Sequence, residues 1–126
     1  MLGLAAIVAC GVLWATPAVG QEVFPISRGN QLIMECSSTL AFLARNDSST
    51  SLFGAGQCFG RVWGVLLVSN QADTPAYRRV CASPQVTTLQ TVRIVYNWLE
   101  DHPERLHEES FILILEALEE AFPCSE

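Results

Sequence analysis

Lysine is absent from the sequence: all seven basic residues are arginine, and 13 acidic residues outnumber them. The basic residues form no patch, so the sequence offers no cationic surface of the kind that nucleic acids and anionic membranes bind. The formal net charge of −6 instead suits a basic protein partner, or simply keeps the protein in solution. The composition therefore predicts no nucleic-acid partner.

Histidine is scarce, and the usual signatures of catalysis are missing. His102 and His107 lie five residues apart with a proline between them, so they do not share the i, i+4 helix face of a zinc site. Neither a Gly-x-Ser-x-Gly elbow nor a phosphate-binding glycine loop occurs. The glutamates near the C-terminus resemble the solvated face of an amphipathic helix. We predict a protein that is not an enzyme and has no metal or cofactor.

The first 20 residues carry no charge and have the pattern of a signal peptide. An apolar run is followed by small residues at Ala18 and Gly20, which fits cleavage before Gln21. The run is too short for a membrane anchor, which needs about 20 apolar residues. Lipidation at Cys10 is an alternative, but the apolar run continues past that cysteine. We predict a signal peptide over 1–20 and one exported domain over 21–126, with no membrane association after cleavage.

Apolar residues recurring every three or four positions predict four main helices in two hairpins, and hence a small all-α bundle. The first two span 29–45 and 52–69, separated by a polar break at 46–50. The third begins at a capping box, Thr87-Thr88-Leu89-Gln90, and ends at His102-Pro103. The fourth runs from Glu104 or Leu106 to Phe122, and we expect Phe111 to face inward.

Four cysteines remain after signal cleavage: Cys36, Cys58, Cys81 and Cys124. An even number in a small exported chain predicts two disulfides, for which three pairings are possible. Cys36 and Cys58 lie equally far from Asp47 on either side of the first turn, and the other two flank the second hairpin. This geometry favours Cys36–Cys58 and Cys81–Cys124.

Three glycines, Gly56, Gly60 and Gly64, are spaced four residues apart in the second helix. The spacing places them on one helix face, where small residues allow another helix to approach closely. The same pattern marks helix pairs in membranes, but Gln57 and Arg61 argue against a membrane span. We therefore predict that these glycines pack helices tightly inside the domain.

The motifs together resemble the Rap1a/Tai family of immunity proteins over about residues 30–124. That family shares a C-x-G-x-x-x-G helix, a cysteine before a T-x-x-Q helix start, a Y/W-L-x-x-H-P stretch and a terminal A-L-x-x-A-F-P-C. The matching segments here are Cys58 to Gly64, Val80-Cys81, Thr87 to Gln90, Trp98 to Pro103, and Ala117 to Cys124.

The resemblance implies a periplasmic, all-helical protein that protects its bacterium from a type VI secretion effector. Characterised effectors of this kind are peptidoglycan amidases, and the immunity protein plugs the enzyme's cleft. Characterised members are often homodimers, which makes a homodimer a further expectation.

The resemblance does not identify the inhibitory surface, so we predict two candidates from residue chemistry. The first is the loop 70–79, with Tyr77, Arg78 and Arg79 as anchors, because aromatic and arginine side chains dominate binding energy at interfaces. The second is an acidic edge suited to a basic partner. It comprises Glu100, Asp101 and Glu104, with Glu108 and Glu109 beside them.

Two other function classes remain open. A periplasmic chaperone or envelope-stress protein of similar size would bind many unfolded clients in acid rather than one partner tightly. A small hydrolase ranks last, because no activated nucleophile is evident.

Overall fold

The computed structural model describes residues 27–45, 52–71 and 80–124. Within these ranges the chain forms four α-helices and no named strand, which confirms the predicted all-α class. The helices are α1 (Gly29–Arg45), α2 (Leu52–Gln71), α3 (Thr88–Asp101) and α4 (Ser110–Ala121), with a short 3-10 helix at Pro103–Arg105. The predicted signal peptide lies outside the described residues and stays a prediction.

The third helix begins and ends where its sequence signals place it. The Thr87 hydroxyl accepts a hydrogen bond from the Gln90 backbone N–H at 3.2 Å, which satisfies one of the donors left unpaired at a helix start. At the other end, the His102 N–H donates to the Leu99 carbonyl at 3.3 Å, and Pro103 follows. The helix therefore stops at the residue before the proline.

One apolar core joins all four helices. Leu32 of α1, Val62 of α2, Leu99 of α3 and Leu118 of α4 are all fully buried in it. Leu113 and Val80 are also buried, so the core extends to the segment that precedes α3. Because every helix contributes buried residues to this one cluster, the four helices form a single packed unit.

Two disulfides link the helices in pairs, with the pairing that the hairpin geometry favoured. Cys36 and Cys58 join α1 to α2 and are fully buried in the core. Cys81 and Cys124 join the segments that flank α3 and α4. Beside the second bond, the Cys81 N–H donates to the Phe122 carbonyl at 3.0 Å, so backbone and sulfur hold the same two segments together.

The last helix begins later than predicted, at Ser110 rather than at Glu104 or Leu106. The backbone of residues 106–110 is engaged instead with the start of α1. Gly29 N–H donates to the Glu108 carbonyl at 3.0 Å, and Asn30 N–H donates to the Leu106 carbonyl at 2.8 Å. The Ser110 N–H would donate to the Leu106 carbonyl if the helix began at residue 106. It donates instead to the Ser27 carbonyl at 2.9 Å, so this pairing delays α4.

Phe111 does not face inward as we expected, because 47% of its surface is exposed. The buried residues of α4 are Ser110, Leu113, Ile114, Ala117 and Leu118. The expectation for Phe111 was therefore wrong, since periodicity shows which residues share a helix face but not which part of that face the other helices cover.

Helix α2 is the one described helix whose length and composition would allow it to cross a membrane, with a mean hydropathy of 1.3 over Leu52–Asn70. One third of that window is buried in the protein. Its buried side carries Cys58 and Val62, which belong to the common core. A core helix of this kind meets the same criterion as a membrane span, so the criterion alone is weak evidence.

Candidate protein-binding surfaces

The acidic edge predicted from sequence forms the exposed end of α3. Glu100 and Asp101 lie in the last turn of that helix, Glu104 lies in the following 3-10 helix, and all three are exposed. Carboxylates near a helix C-terminus face the negative end of the helix dipole, which is mildly unfavourable. The fold thus brings these acids together on one surface without gaining stability from their charge at this position.

A groove between α3 and α4 adjoins this edge and encloses about 280 Å³. Its lining combines the apolar side chains of Ile94, Trp98, Ala117 and Ala121 with Asn97 and the acidic residues Asp101 and Glu120. Such a groove suits a side chain with an apolar stem and a cationic end, because the stem is buried while the charge meets the carboxylates.

Trp98 forms one side of the groove and was missed by the sequence reasoning. Its side chain is 9% exposed, and its indole Nε1–H donates to Glu120 Oε2 at 2.8 Å. The His102 ring stacks on it, with 4.1 Å between ring centroids. These contacts fix the position of the Glu120 carboxylate. Spacing alone could not reveal this, because Trp98 and Glu120 lie 22 residues apart in sequence.

Arg105 forms ion pairs with two acidic residues next to the exposed edge, Glu108 and Glu116. Its Nε and Nη2 donate to the two oxygens of Glu108 at 2.8 and 2.7 Å, and its Nη1 donates to Glu116. The hydrogen bond from Arg105 holds the pKa of the Glu108 carboxyl below its usual value. Arg105 therefore offsets one of the two negative charges of Glu108 and Glu116, which leaves the edge of Glu100, Asp101 and Glu104 as the more acidic part of the surface.

Glu100 also accepts a hydrogen bond from the Tyr96 hydroxyl at 2.8 Å. This bond raises the pKa of Tyr96, because the hydroxyl is stabilised in its protonated form. The bond holds Glu100 against α3, whereas Asp101 lies at the groove itself.

The other predicted anchors, Tyr77, Arg78 and Arg79, lie outside the described residues. Their role as partner-binding residues stays a prediction, as does that of Glu100, Asp101 and Glu104. The structure adds the groove, with Trp98 and Glu120, to the second of these two surfaces.

The glycine stripe of α2 does not pack against another helix, and the prediction that it does was wrong. Among the described residues outside the helix's own backbone, no heavy atom lies within 4 Å of the place where a Cβ on Gly56, Gly60 or Gly64 would stand. The glycines share one face, as predicted, but the core-facing side of α2 is the one that carries Cys58 and Val62. Spacing identifies a common face without showing which side it turns to the core.

At Gly29 the fold leaves no room for a side chain. A Cβ there would lie 2.6 Å from Leu113 Cδ1 and 2.9 Å from Leu106 Cα. The second of these is backbone and cannot turn away as a side chain can. Gly29 thus permits the close approach between the start of α1 and residues 106–109, which sequence analysis did not single out.

The two histidines make local contacts. His102 Nδ1 lies 2.7 Å from the Trp98 carbonyl oxygen, and His107 Nδ1 lies 3.0 Å from the Glu104 carbonyl oxygen. In the parts of the chain that the structure describes, no three His, Cys, Asp or Glu side chains are grouped to hold a metal ion.

The sequence of this helical, two-disulfide protein matches a model of a known protein family. The model of the Rap1a immunity proteins matches residues 28–124, which is most of the chain. The chain belongs to the Rap1a family. No curated protein matches the sequence. Rap1a immunity proteins are generally not enzymes and are typically periplasmic. Membership therefore indicates a type VI secretion immunity protein, with a protein effector as its partner.

Proposed function

We propose that this Rap1a protein acts in the periplasm as a homodimer, where it binds and blocks a peptidoglycan amidase delivered by a type VI secretion system. The observation that carries the proposal is the family match over residues 28–124. The two disulfides support an oxidising compartment, because such bonds rarely persist in the cytosol. The protein itself performs no catalysis and acts by occupying the cleft of its partner.

The acidic groove between α3 and α4 is the surface that we assign to the effector among the described residues. A basic side chain of the effector would enter between Trp98 and Ala117 and pair with Asp101 and Glu120. The loop 70–79 would supply further contacts. Complementary charge of this kind raises the association rate and selects the partner.

The test begins with the oxidised protein as bait for secreted and periplasmic proteins of its own bacterium. A captured cell-wall amidase is then assayed on peptidoglycan with increasing amounts of the protein. Complete inhibition at one binding site per enzyme supports the proposal. A captured amidase that stays fully active would refute it.

Asp101→Lys tests the assigned surface. We expect the association rate with the amidase to fall about tenfold or more at low salt, because a carboxylate that attracts a basic partner becomes a repelling charge. Gln90→Lys is the control, since it adds one positive charge at the exposed opposite end of α3, whereas Asp101→Lys changes the charge by two. Equal effects per unit of added charge, measured as the change in the logarithm of the association rate, would mean that net charge, and not this groove, governs binding.

A chaperone function is the second candidate, favoured by the exposed apolar side chains on α2. A chaperone would suppress the aggregation of several unrelated proteins in acid. An immunity protein would leave that aggregation unchanged while inhibiting one enzyme, so the two assays separate the candidates.

A further inference from the structure

The outer face of α2 is largely apolar. Gln57 and Arg61 lie along one edge of it and are hydrogen-bonded to each other at 3.2 Å. We define the α2 face as Leu52, Phe53, Gly56, Phe59, Gly60, Trp63, Gly64, Leu67 and Val68, whose six large side chains are all exposed. Phe53 projects furthest, with 77% of its surface exposed. The core-facing residues of the same helix lie on its other side and already supply its contact with the bundle. The fold therefore does not require this apolar surface.

The exposed area is large enough for a stable interface. With aromatic side chains of roughly 200 Å² each, the exposed fractions of the α2 face and of neighbouring Phe111 amount to about 700 Å². Apolar patches on monomers rarely exceed about 300–600 Å², whereas a standard interface buries about 800 Å² on each partner. The patch thus matches the share of one partner in a complex.

The shape of the face is complementary to itself. Phe53, Gly60 and Leu67 recur at intervals of seven residues, which is close to two helical turns, so they form its central line. Gly56 and Gly64 lie one turn to either side of Gly60. Because a Cβ on any of these glycines would meet open space, a second helix could approach the backbone closely at the centre of the face.

A groove beside the stripe holds about 330 Å³ and is mostly apolar, with a lining of Gly60, Gly64, Val65, Val68 and Phe111 together with Ser110 and Arg61. The Arg61 guanidinium is paired with Glu35 at 2.7 Å. If two copies of α2 cross in antiparallel fashion about a two-fold axis at Gly60, Gly56 of one copy lies opposite Gly64 of the other. Phe53 lies about 10 Å along the helix from Gly60, which places it at the groove of the second copy. Symmetry makes this contact twice.

We infer that the α2 face is the surface through which two copies of this chain associate, antiparallel and centred on Gly60. The inference rests on the homodimer of the proposed function and names its surface and register. Each copy supplies a projecting Phe53 and also a groove that receives Phe53 of the other copy. The face is therefore complementary to a second copy of itself.

The first test compares the sedimentation of the oxidised full protein with that of two single-site variants. We expect the wild type to be a dimer at micromolar concentration and Phe53→Glu to be a monomer with an unchanged helical signal, because Phe53 is far from the core. Met34→Glu is the matched control: Met34 is 65% exposed on α1, and its substitution should leave the dimer intact. A monomeric wild type, or a dimeric Phe53→Glu, overturns the inference.

The second test fixes the register. Under mild oxidation, Gly60→Cys should form a disulfide between copies, because only residues near the two-fold axis meet their own counterparts within disulfide reach. Val68→Cys should not, since its counterpart lies about 24 Å away along the antiparallel helices. Cross-linking at both positions, or only at Val68, contradicts the antiparallel arrangement.

Two further measurements separate this inference from the proposed function. A monomeric wild type that still inhibits the amidase would refute the dimer surface and support the immunity function. A dimer that cross-links at Gly60 but inhibits no amidase would support the dimer surface and refute the immunity function. Flotation of the wild type with neutral lipid vesicles would assign the face to a membrane instead and overturn the inference.

Discussion

The two disulfides differ in burial and in the length of chain that they close, and these differences predict unequal roles. Cys81–Cys124 spans 43 residues, and loop-closure entropy assigns it about 4 kcal/mol of stability. Cys36–Cys58 spans 22 residues, for which the same relation gives about 3.5 kcal/mol. Cys36 and Cys58, however, are fully buried. Replacing them with serine therefore also leaves a cavity and places new polar groups in the core.

We therefore expect Cys81→Ser/Cys124→Ser to fold with its free energy of unfolding lowered by about 4 kcal/mol. The matched variant Cys36→Ser/Cys58→Ser should lose more and fail to fold cooperatively, because domains have only about 5–15 kcal/mol of stability in total. Urea unfolding followed by circular dichroism measures both.

The same reasoning predicts the order of reduction in the wild type. Cys81 is exposed, while Cys36 and Cys58 are fully buried. Low concentrations of reductant followed by alkylation and mass spectrometry should label Cys81 and Cys124 first. A loss below 1 kcal/mol for the outer pair, or earlier labelling of the inner pair, would refute the reasoning.

Two further predictions concern single residues. Gly29→Ala should lower the free energy of unfolding by about 2 kcal/mol, because the new methyl group overlaps the Leu106 backbone; thermal unfolding measures this, and the neighbouring exposed variant Asn30→Ala should change it by less than about 0.5 kcal/mol. Glu108 has a lowered pKa in the folded protein, so its stabilising pair with Arg105 is fully present above the unfolded pKa of about 4.3 and is lost as the pH falls through the folded pKa. Glu108→Gln should therefore destabilise at neutral pH and match the wild type near pH 2, and an equal loss at both pH values would contradict the assignment.

Local signals predicted the helices well, because each acts within a few residues. The Thr87 cap and the His102-Pro103 stop both act on the backbone next to them, and the structure places the ends of α3 there. The start of α4 could not be predicted in this way. It depends on hydrogen bonds between residues 106–110 and residues 27–30, and nothing in either segment alone indicates that they meet.

For the candidate surfaces, too, local features could be predicted from sequence and contacts between distant segments could not. That Glu100, Asp101 and Glu104 lie together follows from their closeness in sequence, whereas the groove beside them depends on how α3 packs against α4. The glycine stripe is the clearest failure. Its members share a face as their spacing requires, but the choice between an inner and an outer face is made by the other side of α2, where Cys58 is tied to Cys36.

The disulfide pairing also divides the chain into two covalent rings, one closed between Cys36 and Cys58 and one between Cys81 and Cys124. A single protease cut within either ring leaves one covalently connected molecule, and this includes a cut in the polar segment 46–51. The chain between Cys58 and Cys81 is the only covalent link from one ring to the other. A cut there, for instance within 72–79, would leave the two halves joined by packing alone. Electrophoresis without reductant would distinguish the two kinds of nick directly.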